Sequence, residues 1–167
     1  MADPAGPRPA PPDERSVLLG AFDKELRRKW PRTFAGLAIT PDGTLDVLST
    51  GDPAVNEFAS RFAAEHSDFR LRVVPGMRNS LLDLEAVRDK IHERVGAGQI
   101  GQVKVLGYGV DIRSNCVRIG IADLSPEGVR YLQDEFGPDR VCVEKGSLWS
   151  PSESGRKGDV HRPDAIG

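Results

Sequence analysis

Residues 107–136 read GYGVDIRSNCVRIGIADLSPEGVRYLQDEF, and this stretch gives the clearest indication of the fold. Two runs of alternating apolar residues flank the polar triplet 113–115, which is the pattern of a β-hairpin. Ser125 can cap a helix, and Pro126 suits the first helical position because a proline lacks the N–H that is unpaired there. The alternating positions of the hairpin are Val110, Ile112, Val117, Ile119 and Ile121. The stretch therefore predicts a hairpin that is followed directly by a helix.

The same pattern occurs earlier in the chain. Residues 34–47, FAGLAITPDGTLDV, contain two alternating runs around a Pro-Asp-Gly turn, and Asp52 and Pro53 then take the cap and first helical positions. The helix faces match in spacing, with Val55, Phe58 and Phe62 corresponding to Val129, Leu132 and Phe136. The final strands match as well, with Leu71 and Val73 corresponding to Val141 and Val143. The sequence predicts an α+β fold made by tandem duplication of a ββαβ unit, over residues 34–76 and 106–145.

Two further helices are predicted outside the repeats. An N-terminal helix with Ser16 as its cap carries an apolar stripe and ends at Trp30, because Pro31 follows it. A connecting helix over residues 79–95 begins at Asn79 or Ser80 and ends at the glycines 96 and 98. Each unit alone has too little apolar surface, so the two units and the connecting helix are expected to form one domain over residues 16–145.

Both ends of the chain are expected to be disordered. Residues 1–15 form a proline-rich arm, and residues 146–167 form a polar tail rich in Gly, Ser and Pro. Leu148 and Trp149 are the exception in this tail. These two residues either fold back onto the core or anchor a partner.

Composition argues against several classes of protein. The formal net charge is −2, with no basic stripe, which disfavours binding of nucleic acid. No signal peptide and no apolar run of about 20 residues is present, which predicts a cytoplasmic protein without a membrane segment. In a reducing cytosol, Cys116 and Cys142 would be free thiols. Strand alternation nevertheless places both on the outward face, so a redox link is a hypothesis if their strands are neighbours.

No catalytic, metal or cofactor motif stands out. The glycines at 96, 98 and 101 have a dinucleotide-like spacing, but the predicted helix precedes them and the strand follows, which reverses the required order. The end of a helix followed by a linker explains these glycines. His66, His92 and His161 are far apart and show no metal-ligand spacing. The sequence therefore predicts no metal and no cofactor.

Two segments resemble the pro-regions of secreted bacterial serine proteases of the α-lytic protease and streptogrisin type. They are NSLLDLEAVRDKI at 79–91 and GYGVDIRSNCVRIGIAD at 107–123. The match covers residues 79–123 well and 34–145 loosely. The resemblance implies a domain without chemistry that assists folding of a protease and then inhibits it. It also implies that residues 141–149 are presented to the partner.

The first functional prediction is therefore a non-catalytic protein-interaction module. Its partner-binding residues would be Val141, Val143, Leu148 and Trp149, through pairing of the last strand with a strand of the partner. The alternative is a regulatory domain with a small ligand held between the two repeats. A third possibility is an enzyme with a dispersed site that gathers His92, Glu93 or Asp111.

Overall fold

A computed structural model describes residues 13–147 of the chain, and this part contains four helices and two sheets. The first half consists of α1 (Glu14–Lys29), β1 (Phe34–Ile39), β2 (Leu45–Ser49), α2 (Pro53–Glu65) and β3 (Leu71–Val74). Helix α3 (Leu81–Arg94) connects the halves. The second half consists of β4 (Gln99–Ile100), β5 (Val103–Asp111), β6 (Cys116–Ile121), α4 (Pro126–Phe136) and β7 (Val141–Lys145). The α+β class and the two ββαβ units are confirmed.

The two sheets share one topology. In the first sheet, of order β1-β2-β3, β1 and β2 form an antiparallel hairpin and β3 returns through α2 to lie parallel to β2. In the second sheet, of order β4-β5-β6-β7, β5 and β6 form the hairpin and β7 returns through α4 to lie parallel to β6. Both helices begin as predicted, because Asp52 accepts from the Ala54 N–H and Ser125 accepts from the Gly128 N–H.

Both hairpins contain a β-bulge at the same place. The register of β1 with β2 shifts between Phe34 and Gly36, and that of β5 with β6 shifts between Val105 and Gly107. A bulge adds a residue to one strand and increases the local twist. The two units therefore match in the position of the bulge and in strand register, as well as in sequence pattern.

The helices cover one face of each sheet. The core of the first half is built by Phe22, Leu26, Phe34, Leu45, Val47, Val55, Ala59, Phe62, Phe69 and Leu81. The core of the second half is built by Leu84, Val87, Ile91, Ile100, Val105, Val117, Ile119, Ile121, Leu132, Phe136 and Val141. Helix α3 contributes to both cores and packs on β1, β5 and β6, so it joins the two halves.

Two residues in the turn of the second hairpin, Ile112 and Arg113, contact the first hairpin. Ile112 lies against Gly36, where a Cβ atom would stand only 2.6 Å from Ile112 Cγ2. Arg113 donates to the carbonyl of Ile39 at 2.8 Å and lies 3.6 Å from the carboxylate of Asp46. Side chains therefore occupy the region where the two hairpins meet.

A buried asparagine pair adds further hydrogen bonds to this turn. Asn79, just before α3, donates from Nδ2 to the carbonyls of Asn115 (3.1 Å) and Asp139 (2.8 Å). In return, Asn115 accepts from the Asn79 N–H and donates to the Asn79 carbonyl, at 2.8 and 2.9 Å. This network joins the start of α3, the hairpin turn and the loop before β7. Ser80, one of the two predicted caps, is the N-cap of α3.

Three expectations need correction. Helix α1 begins at Glu14 and is capped by Asp13, whose carboxylate accepts from the Ser16 N–H, so Ser16 is not the cap. The linker after α3 contains the short strand β4, which pairs with the start of β5 through turns with positive φ. Cys116 and Cys142 are not free thiols: they form a disulfide with a Cα–Cα distance of 5.9 Å, because parallel pairing brings β6 and β7 together. The hypothesis that the two sulfurs approach each other is thereby confirmed.

Candidate functional site

Strand β7 is the candidate site, because within residues 13–147 it pairs only with β6. Two backbone hydrogen bonds fix its orientation: Val117 N–H donates to the carbonyl of Arg140 at 2.8 Å, and Gly146 N–H donates to the carbonyl of Ile121 at 2.9 Å. In a parallel pair, alternate residues direct both backbone groups to the same side. Residues 140, 142, 144 and 146 therefore face β6, whereas Val141, Val143 and Lys145 direct their N–H and C=O groups to the open edge.

The side chains of Val141 and Val143, two of the predicted contact residues, pack in or against the core. Val141 is 4% exposed and belongs to the core of the second half, and Val143 is half-buried against the same core. Neither side chain is a free anchor for a partner. Their backbone groups are the part that the edge presents. Leu148 and Trp149 lie outside the described residues.

The equivalent strand of the first half offers a poorer edge. Leu45 N–H donates to the carbonyl of Arg70 at 2.7 Å, so Leu71 and Val73 direct their backbone groups outward. The next outward residue is Pro75, which has no N–H to donate. Proline at a sheet edge is a common obstacle to pairing with another chain. Of the two equivalent strands, β7 therefore carries the longer run of outward donors and acceptors.

Covalent and ionic contacts hold β7 against β6. The Cys116–Cys142 disulfide joins the strands, and Arg118 donates to the carboxylate of Glu144 at 2.7 Å. Arg118 also lies 3.5 Å from the carboxylate of Asp111. In the first sheet the corresponding contact is a salt bridge alone, in which Arg72 donates twice to Asp46, at 2.8 and 2.9 Å. The β7 edge is thus preorganised by a bond that the β3 edge lacks.

His92 and Asp111, two of the groups considered for a dispersed catalytic site, are not brought together. The His92 ring contacts the hydroxyl of Tyr108 on the helix-covered face of β5. Asp111 lies on the opposite face, where it accepts from Ser114 and pairs with Arg118. His66 is the C-cap of α2, and its ring lies tilted against that of Phe62, with ring centroids 4.5 Å apart. His161 lies outside the described residues. Residues 13–147 contain no cluster of His, Cys, Asp and Glu that could hold a metal ion.

A cleft of about 690 Å³ lies beside the start of α4. It is lined by Gly101, Gln102, Val103, Lys104, Asp123, Ser125, Glu127, Gly128 and Tyr131. A smaller cavity lies between α1 and α3, against Phe34 and Leu81. The larger cleft is formed within the second half and its β4–β5 turn. It is therefore not the site between the two repeats that the ligand-binding alternative predicts.

Each helix within residues 13–147 is too short or too polar to cross a bilayer. Comparison of the chain with models of known protein families, and with curated protein sequences, gave no match.

Proposed function

We propose that the protein is a non-catalytic interaction module that binds an extended segment of a partner protein along the open edge of β7. The observation that carries the proposal is the outward direction of the backbone groups of Val141, Val143 and Lys145. An added strand would form main-chain hydrogen bonds with these groups and extend the second sheet. Because the valine side chains stay in the core, affinity would come mainly from backbone pairing and from residues around the edge.

The rigidity of the edge supports this function. A strand that is already ordered loses little conformational entropy when a partner strand pairs with it. The disulfide and the Arg118–Glu144 pair supply that order. Leu148 and Trp149 follow β7 in the sequence and are proposed to add apolar contacts to the same partner.

A proline scan of the two edges tests the proposal. Val143→Pro removes an outward N–H but no N–H that bonds to β6, and Val73→Pro is the matched control on β3. Both valines are half-buried, so the packing loss is similar. Lys145→Pro, at an exposed residue, is a second edge variant. Circular dichroism would establish that each variant is folded.

The readout is capture of proteins from a lysate of the source organism, identified by mass spectrometry. Proteins bound by the parent chain and by Val73→Pro, but lost with both β7 variants, would support docking at β7. Capture that is equal in all folded variants would refute it. A chain truncated after Lys145 separates the contribution of Leu148 and Trp149 from that of the edge.

The resemblance to protease pro-regions suggests the class of partner. If it extends to function, the partner is a serine protease that this domain helps to fold and then inhibits. Inhibition assays against bacterial serine proteases of the chymotrypsin type would test this. Inhibition by the parent chain that is lost with Val143→Pro would support it, and no inhibition of any such protease would count against the resemblance.

The second candidate function is ligand binding in the cleft beside α4. Its volume lies in the range of small-molecule sites, about 300–1,000 Å³. Lys104, Glu127 and Tyr131 would supply polar contacts and one aromatic surface. A metabolite screen by thermal shift, repeated with Tyr131→Ala, tests this candidate. Stabilisation by a compound that disappears in the variant would favour a ligand-binding domain.

The Cys116–Cys142 disulfide bears on the compartment in which the protein works. The cytoplasmic location expected from the sequence remains a prediction. The Cys116–Cys142 disulfide favours an oxidising compartment, since disulfides are rare in reducing cytosol. Determining the fraction of disulfide-bonded chain in cells, by rapid acid quenching and alkylation, would distinguish the two locations.

A further inference from the structure

The two cysteines of the disulfide differ in exposure. Cys116 is only 3% exposed, whereas Cys142 is exposed on the edge strand β7. Thiol–disulfide exchange requires a thiolate to reach one sulfur in line with the bond that breaks. The buried position of Cys116 blocks that approach, and the exposed position of Cys142 permits it.

We propose that Cys142 is a modification site at which a low-molecular-weight thiol opens the disulfide, and that this opening loosens strand β7. The attacking thiolate forms a new S–S bond to Cys142 Sγ while the Cys116–Cys142 bond breaks. Cys116 leaves as a thiolate and takes a proton from water. The product is a mixed disulfide at Cys142 and a free thiol at Cys116. No separate oxidant or reductant is consumed, since the attacking thiol supplies the electron pair.

The effect on β7 follows from what remains after opening. The disulfide closes a loop with a sequence separation of 26, which contains α4 and the return to β7. Without it, β7 is held by the ladder to β6, by the core contact of Val141 and by the Arg118–Glu144 pair. The bulk of an attached thiol would stand on the outward face and would not enter the core. The strand is therefore expected to open more often while the rest of the fold is retained.

The first sheet provides an internal comparison. Strand β3 is held parallel to β2 by a ladder and by the Arg72–Asp46 salt bridge, which thiols do not alter. A response confined to β7 would therefore distinguish release of this strand from general unfolding. The consequence for partner binding rests on the proposed function, but the exchange at Cys142 does not.

The site is tested by treating the full oxidised chain with reduced glutathione, quenching in acid, alkylating free thiols and mapping peptides by mass spectrometry. We expect glutathione on Cys142 and the alkyl group on Cys116, with Cys142 preferred about tenfold or more. Adducts mainly on Cys116, equal adducts on both residues, or no adduct would overturn the proposal.

Loosening is tested by amide hydrogen exchange of the same samples. In the parallel pairing of β6 with β7, the Cys142 and Glu144 N–H groups donate to β6. The N–H groups of Arg72 and Val74 are their counterparts in the first sheet, where they donate to β2. After modification we expect exchange about tenfold faster at the first pair and little change at the second. Cys116→Ala, which leaves Cys142 unbridged, should reproduce the pattern. Unchanged amide exchange in β7, or equal acceleration in β7 and β3, would refute the proposed loosening of β7.

The two proposals can fail separately. If exchange occurs as expected but Val143→Pro still captures the same proteins, docking at β7 is wrong and the thiol site stands. If docking depends on Val143 but glutathione neither modifies Cys142 nor loosens β7, the edge remains the binding site and the thiol proposal is wrong.

Discussion

Replacing Asn79 with alanine should destabilise the fold by about 3 kcal/mol, since the residue joins three segments through one buried amide. Its Nδ2 group donates to the carbonyls of Asn115 and Asp139. Asn115 is 9% exposed, so water cannot readily replace the lost donor, and a buried acceptor without a partner costs about 1–3 kcal/mol. The Asp139 carbonyl is more accessible, and its loss adds about 1 kcal/mol.

Urea unfolding followed by circular dichroism provides the measurement. With a slope of about 2 kcal/mol per molar, the midpoint should fall by about 1.5 M. Asn56→Ala is the matched control, because within residues 13–147 the buried Oδ1 of Asn56 has no hydrogen-bond partner. That residue lies inside α2, where alanine is the better helix former, so the control should be neutral or stabilising. A change for Asn79→Ala that is no larger than that of the control would refute the reasoning.

Three further predictions follow from the contacts of the first half. Asp46→Asn should lower the urea midpoint, because the Asp46 side chain is 4% exposed and binds two arginines. The difference in urea midpoint between this variant and the parent chain should be smaller at high salt. Gly36→Ala should cost about 3 kcal/mol through the clash with Ile112 and the positive φ, whereas Gly43→Ala, in open space, should cost only about 1 kcal/mol for its positive φ. The hydrogen bond from the Thr40 hydroxyl, together with those from Thr44, lowers the pKa of Asp42 from 3.8 to about 2, so its stabilising contribution is present above pH 3.8 and is lost as the pH falls through about 2. An NMR titration of the Asp42 carboxyl should show this midpoint, and Thr40→Ala should raise it.

The elements that the sequence predicts well are those with a local physical signal. Alternation identified both hairpins, and Asp52 and Ser125, each followed by proline, identified the starts of α2 and α4. The connecting helix was predicted from its cap and from the glycines that follow it, and α3 is capped by Ser80. In each case a residue pattern within a short stretch of sequence is enough to predict the element.

The features that the sequence did not predict depend on contacts between distant segments. Strand β4 has only two residues and exists because β5 lies beside it, so it shows no alternation of its own. The disulfide depends on β6 and β7 being neighbours, and the order of strands was not predictable from the pattern. The prediction that Val141 and Val143 contact a partner through strand pairing stays a prediction, and their side chains lie in or against the core.

The order in which the strands pair has a consequence for synthesis on the ribosome. The first sheet is complete once residues up to Met77 have emerged, because the Met77 N–H is the last to bond to β2. The second sheet cannot close until β7, at residues 141–145, has emerged as well. In that interval the nascent chain carries a finished first sheet, beside an α3 whose residues Leu84, Val87 and Ile91 have no second sheet to cover them. Apolar surface that is exposed in this way during synthesis is prone to aggregation and is the kind of surface that chaperones bind.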